Sequence, residues 1–406
     1  MSISTVPGGV TAAQGFTAAG AHCGIRKNAD KKDLCLIFSS VPCTAAAVYT
    51  ENLVKAAPLA VAQRHLQNGA ARAVLVNSGN ANACAPGGEE AAIRSCKAAA
   101  SALGIGPGDV VVASTGVIGV PLPVQAIENA VPALARALSA SGGDDAAEAI
   151  MTTDLVPKTY AVRFELGGKP VTLGGMAKGS GMIHPNMATL LSFVTTDAAI
   201  SAEALQTALR ASARVTYNRI SVDGDTSTND MNLVLASGLA GNPEITGPGP
   251  DYDAFLSALN AVNGHLAREI ARDGEGATKL VTCRVSGARD EDTAAHLARG
   301  VIASSLVKTA MFGADANWGR VLCAMGYANA PFDPQGVDIA FASAAGEVQV
   351  CASGAGLAFD EAKAKAILSQ PEVDILCTLR EGGGRAEAFG CDLSYDYVKI
   401  NGDYRT

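Results

Sequence analysis

Tryptophan occurs once, at Trp318, and aromatic residues make up only 5% of the 406-residue chain. Its core must therefore be filled by small aliphatics, chiefly alanine, glycine and valine, which suggests helices layered on sheets. Positive charge is also short. Lys and Arg number 31 against 39 Asp and Glu, giving a net charge of −8 and a pI near 5.2. That balance argues against a nucleic-acid surface and against an anionic membrane partner, though not against one local basic pocket. No uninterrupted apolar run is long enough to span a bilayer. The stretch Met1–Val10 has neither a basic region nor a continuous apolar segment, so no signal peptide is expected and the protein reads as cytoplasmic. The ten cysteines are irregularly spaced and none forms a Cys-x-x-Cys pair. A disulfide framework and a zinc site are both set aside, and no metal is expected; buried small hydrophobes account for most of them. Internal repeats and low-complexity linkers are missing too.

What is present in abundance is glycine around one lysine. The stretch Gly174-Gly175-Met176-Ala177-Lys178-Gly179-Ser180-Gly181-Met182-Ile183-His184-Pro185-Asn186-Met187-Ala188-Thr189 runs into the apolar Leu190–Val194. Glycines admit conformations other residues resist, and Pro185 pushes His184 towards extended geometry. Such a segment can hold one peptide bond in a strained pose. A threonine at the mouth of a buried strand is then placed to attack its own preceding carbonyl. Hydrolysis of the resulting ester would leave Thr189 as a new N-terminus, with hydroxyl and α-amine forming nucleophile and adjacent base. The plainer alternative is a glycine-rich loop entering a strand. A Walker-type phosphate loop fails on detail, because Lys178 precedes Gly179 where that motif needs Gly-Lys-Ser/Thr.

Other polar clusters carry two readings each. Ser114-Thr115-Gly116 follows the apolar strand Asp109–Ala113; it is a tight turn, or a hydroxyl beside a backbone N–H of the kind an oxyanion needs. Met151-Thr152-Thr153-Asp154 reads as capping and turn chemistry. Asn77–Cys84 is a polar turn, or a polar wall near the site. Asn218–Asp230 has acidic spacing like a calcium loop, but lacks glycine at the sixth position and glutamate at the twelfth. Glu275, flanked by Gly274 and Gly276, is either a solvated turn or a carboxylate facing a cation. Strands are expected at Asp33–Ser39, Ala45–Tyr49, Ala73–Val76, Leu190–Thr195, Met231–Ala236 and Leu280–Val285, with a hairpin about Gly167–Gly168. Helices are expected at Glu89–Leu103, Ala202–Val215, Tyr252–Ala271 and Glu291–Ala310.

The run Met176–Thr189 closely resembles the self-cleavage segment of the ornithine acetyltransferase (glutamate N-acetyltransferase) family of arginine biosynthesis, and the resemblance extends over nearly the whole chain. It implies an α/β (α+β) fold of the αββα layered, self-processing N-terminal-nucleophile type with a smaller C-terminal α/β subdomain. Cleavage between Ala188 and Thr189 would leave an α chain, 1–188, and a β chain, 189–406. The subdomain would span about 284–395 and a tail, 396–406, would return to the site. Similarity assigns Thr189 as nucleophile and Thr115 with Gly116 as the oxyanion hole. Thr152, Lys178, Thr189, Glu275, Asn401 and Thr406 are assigned to substrate. The implied reaction moves the acetyl group of N2-acetyl-L-ornithine to L-glutamate through an acetyl-threonine. No cofactor is implied, though some members also take acetyl-CoA as a co-substrate, and the family suggests a dimer of processed heterodimers. The rival within the same architecture is an aminopeptidase or amidase, with water as acceptor.

Overall fold

The computed structural model describes residues 2–184 and 190–402. Ala188, Thr189 and Thr406 of the expected site lie outside the described residues. Two mixed sheets organise the rest. The larger has nine strands, in the order Ser4–Thr5, Lys158–Leu166, Lys169–Lys178, Leu191–Thr196, Met231–Ala236, Leu34–Tyr49, Ala70–Asn77 and Val110–Ser114, with Phe16–Ala21 also pairing to Leu34–Tyr49. Its neighbours run antiparallel apart from Leu191–Thr196 beside Met231–Ala236 and Ala70–Asn77 beside Val110–Ser114. The α/β class with largely antiparallel sheets is what the sequence led us to expect.

Successive strand residues face opposite sides of a sheet, and both sides are apolar here. Val194 and Val234 join a core closed by the helices Ala202–Val215 and Pro250–Arg272. Their neighbours Phe193 and Leu233 join a second core with Phe16, Ile37 and Val74. A strand buried on both faces explains the unbroken apolar runs seen in the sequence.

The second sheet has seven strands. Its order is Ala355–Gly356, Gly346–Ala352, Asp338–Ser343, Glu372–Thr378, Leu280–Ala288, Gly384–Cys391 and the short Ile220–Ser221. A separate core of small aliphatics packs the helices Glu291–Ala303, Ser305–Phe312, Trp318–Gly326 and Glu361–Leu368 against it. Trp318 packs against the edge of this core.

Two elements differ from the sequence expectation. The strands expected on either side of Val41-Pro42 are one continuous strand, Leu34–Tyr49. Its register slips between Phe38 and Cys43, and such a bulge accommodates a proline without ending a strand. The single helix expected over Glu291–Ala310 is two. It breaks at Ser304, whose hydroxyl accepts from the Val307 N–H and so caps the second helix.

Candidate active site

Lys178 is the last residue of its strand and pairs in register with Leu191 on the strand that follows Thr189. Leu191 in turn stands beside Met231. The strand ends therefore set Lys178, Leu190 and Asp230 side by side at one edge of the sheet. A short polar cavity of about 140 Å³ opens there. Its lining includes Thr115, Gly116, Thr152, Lys178, Glu275 and Asn401. All six sequence-predicted site residues that the structure describes thus meet in one place, although they come from five separate stretches of chain.

Thr115 and Gly116 arrive from the end of the strand Val110–Ser114. The Thr115 N–H donates to Asn77 O at 3.0 Å, and the Val117 N–H to Gly79 O. Gly116 has φ +132°, and a Cβ there would lie 2.3 Å from Gly79 C and 2.5 Å from Asn80 N. The turn requires glycine both for its dihedral and for the approach of the neighbouring backbone. Behind it the asparagines of Asn77–Cys84 act as scaffold. Asn77 Oδ1 accepts from the Ser114 hydroxyl at 2.6 Å and Asn80 Nδ2 donates to Val120 O. Asn229 Nδ2 donates to both Ala81 O and Ser114 O, at 2.6 and 2.8 Å. The calcium-like stretch Asn218–Asp230 is thereby a wall of the site: Ser227, Thr228 and Asn229 line the cavity.

Two buried ion pairs frame the floor. Lys158 Nζ bonds Asp154 at 2.8 Å and Asp273 at 2.6 Å, all three side chains being under a tenth exposed. Asp154 also accepts from the backbone N–H of Gly179 at 2.7 Å and of Thr152 at 3.0 Å. Burial alone would raise the Asp154 pKa, but the Lys178 and Lys158 charges outweigh it and hold its carboxyl well below the usual carboxylate range. Lys178 Nζ lies 4.0 Å from Asp154 and donates to Thr115 Oγ1 at 3.4 Å. Its burial lowers its pKa, against the pull of Asp154, Asp230 and Glu275.

Glu275 is held by segments on both sides of the expected cut. Its N–H donates to Ser180 O at 2.9 Å. Its carboxylate sits so close to Gly181 that a Cβ at that glycine would meet Glu275 Cδ at 2.3 Å. Asn401, on the terminal helix Tyr395–Gly402, donates from Nδ2 to Glu275 Oε2 at 2.7 Å. The terminal helix thus brings Asn401 to the cavity. On the approach to the cleavage segment, Asp223 accepts from the N–H groups of Met182 and Ile183. His184 Nδ1 lies 3.0 Å from Ser221 Oγ. Burial, with Arg299 nearby, lowers the His184 pKa to about 4, Asp223 only partly opposing.

Sequence reasoning missed Asp154. Its signal was the tetrad Met151–Asp154, which looked like ordinary turn chemistry, and in part is. Asp230 was missed as well: it is buried, one carboxylate oxygen has no hydrogen-bond partner among the described residues, and burial raises its pKa well above normal. Among the described residues no group of three or more His, Cys, Asp or Glu is placed to hold a metal ion, and no helix is long and apolar enough to cross a membrane.

The sequence profile of the ArgJ family matches residues 17–406. The chain belongs to the ArgJ family. An arginine biosynthesis bifunctional protein ArgJ of Symbiobacterium thermophilum is 57% identical over 403 residues, covering 98% of this chain and 99% of that one. Among solved structures, the ArgJ protein of Bacillus halodurans is 47% identical with a TM-score of 0.50, and 52% of this chain covers 98% of that one. An ornithine acetyltransferase of Mycobacterium tuberculosis, solved with ornithine, is 42% identical with a TM-score of 0.43, and 46% of this chain covers all of that one. ArgJ membership gives the class of enzyme: an acyltransferase of arginine biosynthesis.

Proposed function

We propose that this ArgJ chain cuts itself between Ala188 and Thr189 and then carries an acetyl group from N2-acetyl-L-ornithine to L-glutamate on the Thr189 hydroxyl. The observation that carries this reading is the single cavity gathering Thr115, Gly116, Thr152, Lys178, Glu275 and Asn401 at the mouth of the strand that follows Thr189. Its volume suits on the order of ten heavy atoms, the size of an acylated amino acid. Its two charged side chains, Lys178 and Glu275, complement an amino acid's carboxylate and the free ammonium of an ornithine side chain.

In the first half-reaction Thr189 Oγ attacks the acetamide carbonyl, and the Thr189 α-amine accepts its proton. The Thr115 hydroxyl and Gly116 N–H receive the oxyanion, and ornithine leaves with the proton. Glutamate reverses the sequence on the ester. No cofactor takes part. Acetyl-CoA would enter as an alternative donor to the same threonine, and supplying it with glutamate alone decides whether this chain uses it.

One comparison supports the cut. The Symbiobacterium thermophilum relative matches along its whole length, whereas the solved Bacillus halodurans chain is covered by 52% of this one. The pieces would remain joined, because Lys169–Lys178 before the cut pairs along its length with Leu191–Thr196 after it. We carry over the family's dimer of heterodimers and a cytoplasmic setting. Mass spectrometry of the denatured protein tests the reading: two polypeptides are expected, the second starting at Thr189. One full-length mass from active enzyme overturns it. The amidase rival predicts steady release of acetate without glutamate.

A further inference from the structure

The oxyanion side of the site contains a polarity problem. A threonine hydroxyl has a single proton to donate, beside lone pairs that accept. For Thr115 to stabilise an oxyanion its proton must point at the substrate rather than back into the protein. The structure supplies an answer in Lys178. Its ammonium has three donors and no acceptor, and it contacts Thr115 Oγ1 at 3.4 Å. In that contact the threonine oxygen can only accept.

We propose that Lys178 sets the direction of the Thr115 hydroxyl, leaving its proton for the oxyanion, and that Asp154 is the positioning residue that keeps the ammonium charged and aimed. This rests on the acetyl-transfer reading and concerns its oxyanion side. Asp154 is well suited to the task. It lies 4.0 Å from Lys178 Nζ, its side chain is inaccessible to solvent, and two backbone N–H groups fix its orientation. Lys158 shares it but is itself anchored to Asp273, so Asp154 keeps negative charge to spare for Lys178. The other charges acting on Lys178 are Asp230 and Glu275, which favour its ammonium, and Lys158, which opposes it. Without Asp154 the balance tips towards a neutral amine. A neutral amine can accept a hydrogen bond, so Thr115 would then be free to turn its proton inwards.

The test is a double-mutant cycle on cleaved enzyme, reading kcat for the ornithine-releasing half-reaction. K178M should slow it about 10²-fold, the scale of a lost oxyanion donor, but less than about fivefold when Thr115 is already alanine. Equal losses in both backgrounds would mean that Lys178 acts on kcat independently of Thr115 and overturn the inference. D154N adds a second reading. Removing the negative charge lowers the Lys178 pKa, so the basic limb of the kcat profile should move to lower pH. In K178R, whose side chain does not titrate in that range, the limb should disappear while most activity returns. A D154N profile superimposed on the wild-type one also overturns the inference. Should D154N fail to fold, the cycle still decides. Wild-type enzyme that never turns over acetylornithine would instead sink the acetyl-transfer reading itself.

Discussion

Asn401 donates its side-chain amide to Glu275 Oε2 at 2.7 Å, joining residues 126 positions apart in the chain. Glu275 in turn presses against Gly181, on the other side of the expected cut. The last helix, which has no buried residue of its own, thereby contributes Asn401 to the lining of the cavity. It reaches Asp223 through the Tyr397 hydroxyl, and Ser394, just before the helix, donates to the Gly276 carbonyl.

If Glu275 receives the ornithine ammonium, then E275Q should lower kcat/KM for acetylornithine by about 10- to 100-fold, the worth of a hydrogen bond to a charged group. The acetyl-enzyme, once formed, should react with glutamate almost as before. N401A removes one hydrogen bond to the Glu275 carboxylate but leaves the charge in place, and should cost about fivefold on the same donor. Half-reaction rates measured by rapid quench separate these effects. A larger loss in N401A than in E275Q would reverse the assignment.

Gly116 provides a purely steric test. G116A puts a methyl 2.3 Å from the Gly79 backbone at a dihedral that disfavours any side chain. Either the turn or the Asn77–Cys84 scaffold must then move, and the Gly116 N–H moves with it. Activity should fall by about 10²-fold or more, accompanied by a lower melting temperature. Gly108 provides the control: a methyl added there would meet no atom within 4 Å, and its φ is not positive. G108A should leave both activity and melting temperature unchanged.

How much of this was legible in the sequence depended on range. The turn at Gly167–Gly168 and the strand Met231–Ala236 follow from local pattern, and both are found. The break at Ser304 was invisible, since an apolar helical pattern continues through it and only a cap bond marks the boundary. The cluster of Thr115, Lys178, Glu275 and Asn401 was legible only through resemblance to a family; no periodicity links positions so far apart. Asp154 was hidden for a related reason. Its importance lies in two lysines, one of them at the far end of a hairpin, and a turn tetrad does not announce its charge partners.

Asp230 allows a stability prediction with a definite sign. Its folded pKa is raised by burial above an ordinary value near 3.9. Its favourable contribution is therefore full below about pH 4 and lost as pH rises through the raised value. Asparagine carries no such loss. D230N should melt higher than wild type at pH 8, with the gap closing as the pH approaches 4. Thermal melts at several pH values check this, and a gap independent of pH would assign the effect to packing rather than charge.

The kinetic prediction tests nucleophile, cut and acceptor together. An acetyl group held on Thr189 means ornithine departs before glutamate reacts, so initial-rate plots against acetylornithine at several glutamate concentrations should be parallel. Incubation with acetylornithine alone should add one acetyl mass to the polypeptide beginning at Thr189 and none to its partner. T189A should stay uncut and inactive, lacking the hydroxyl that both steps require. T115A removes a donor used in both half-reactions and should slow acetylation and deacetylation alike, each by about 10²- to 10³-fold. The acceptor is the sharper discriminator. Glutamate carries a carboxylate that Lys178 can orient and an amine that water lacks, so it should discharge the acetyl-enzyme far faster than water does. Intersecting plots with no adduct on the second polypeptide would indicate direct transfer between the two substrates. Rapid loss of the adduct in buffer alone would identify a hydrolase built on the same site.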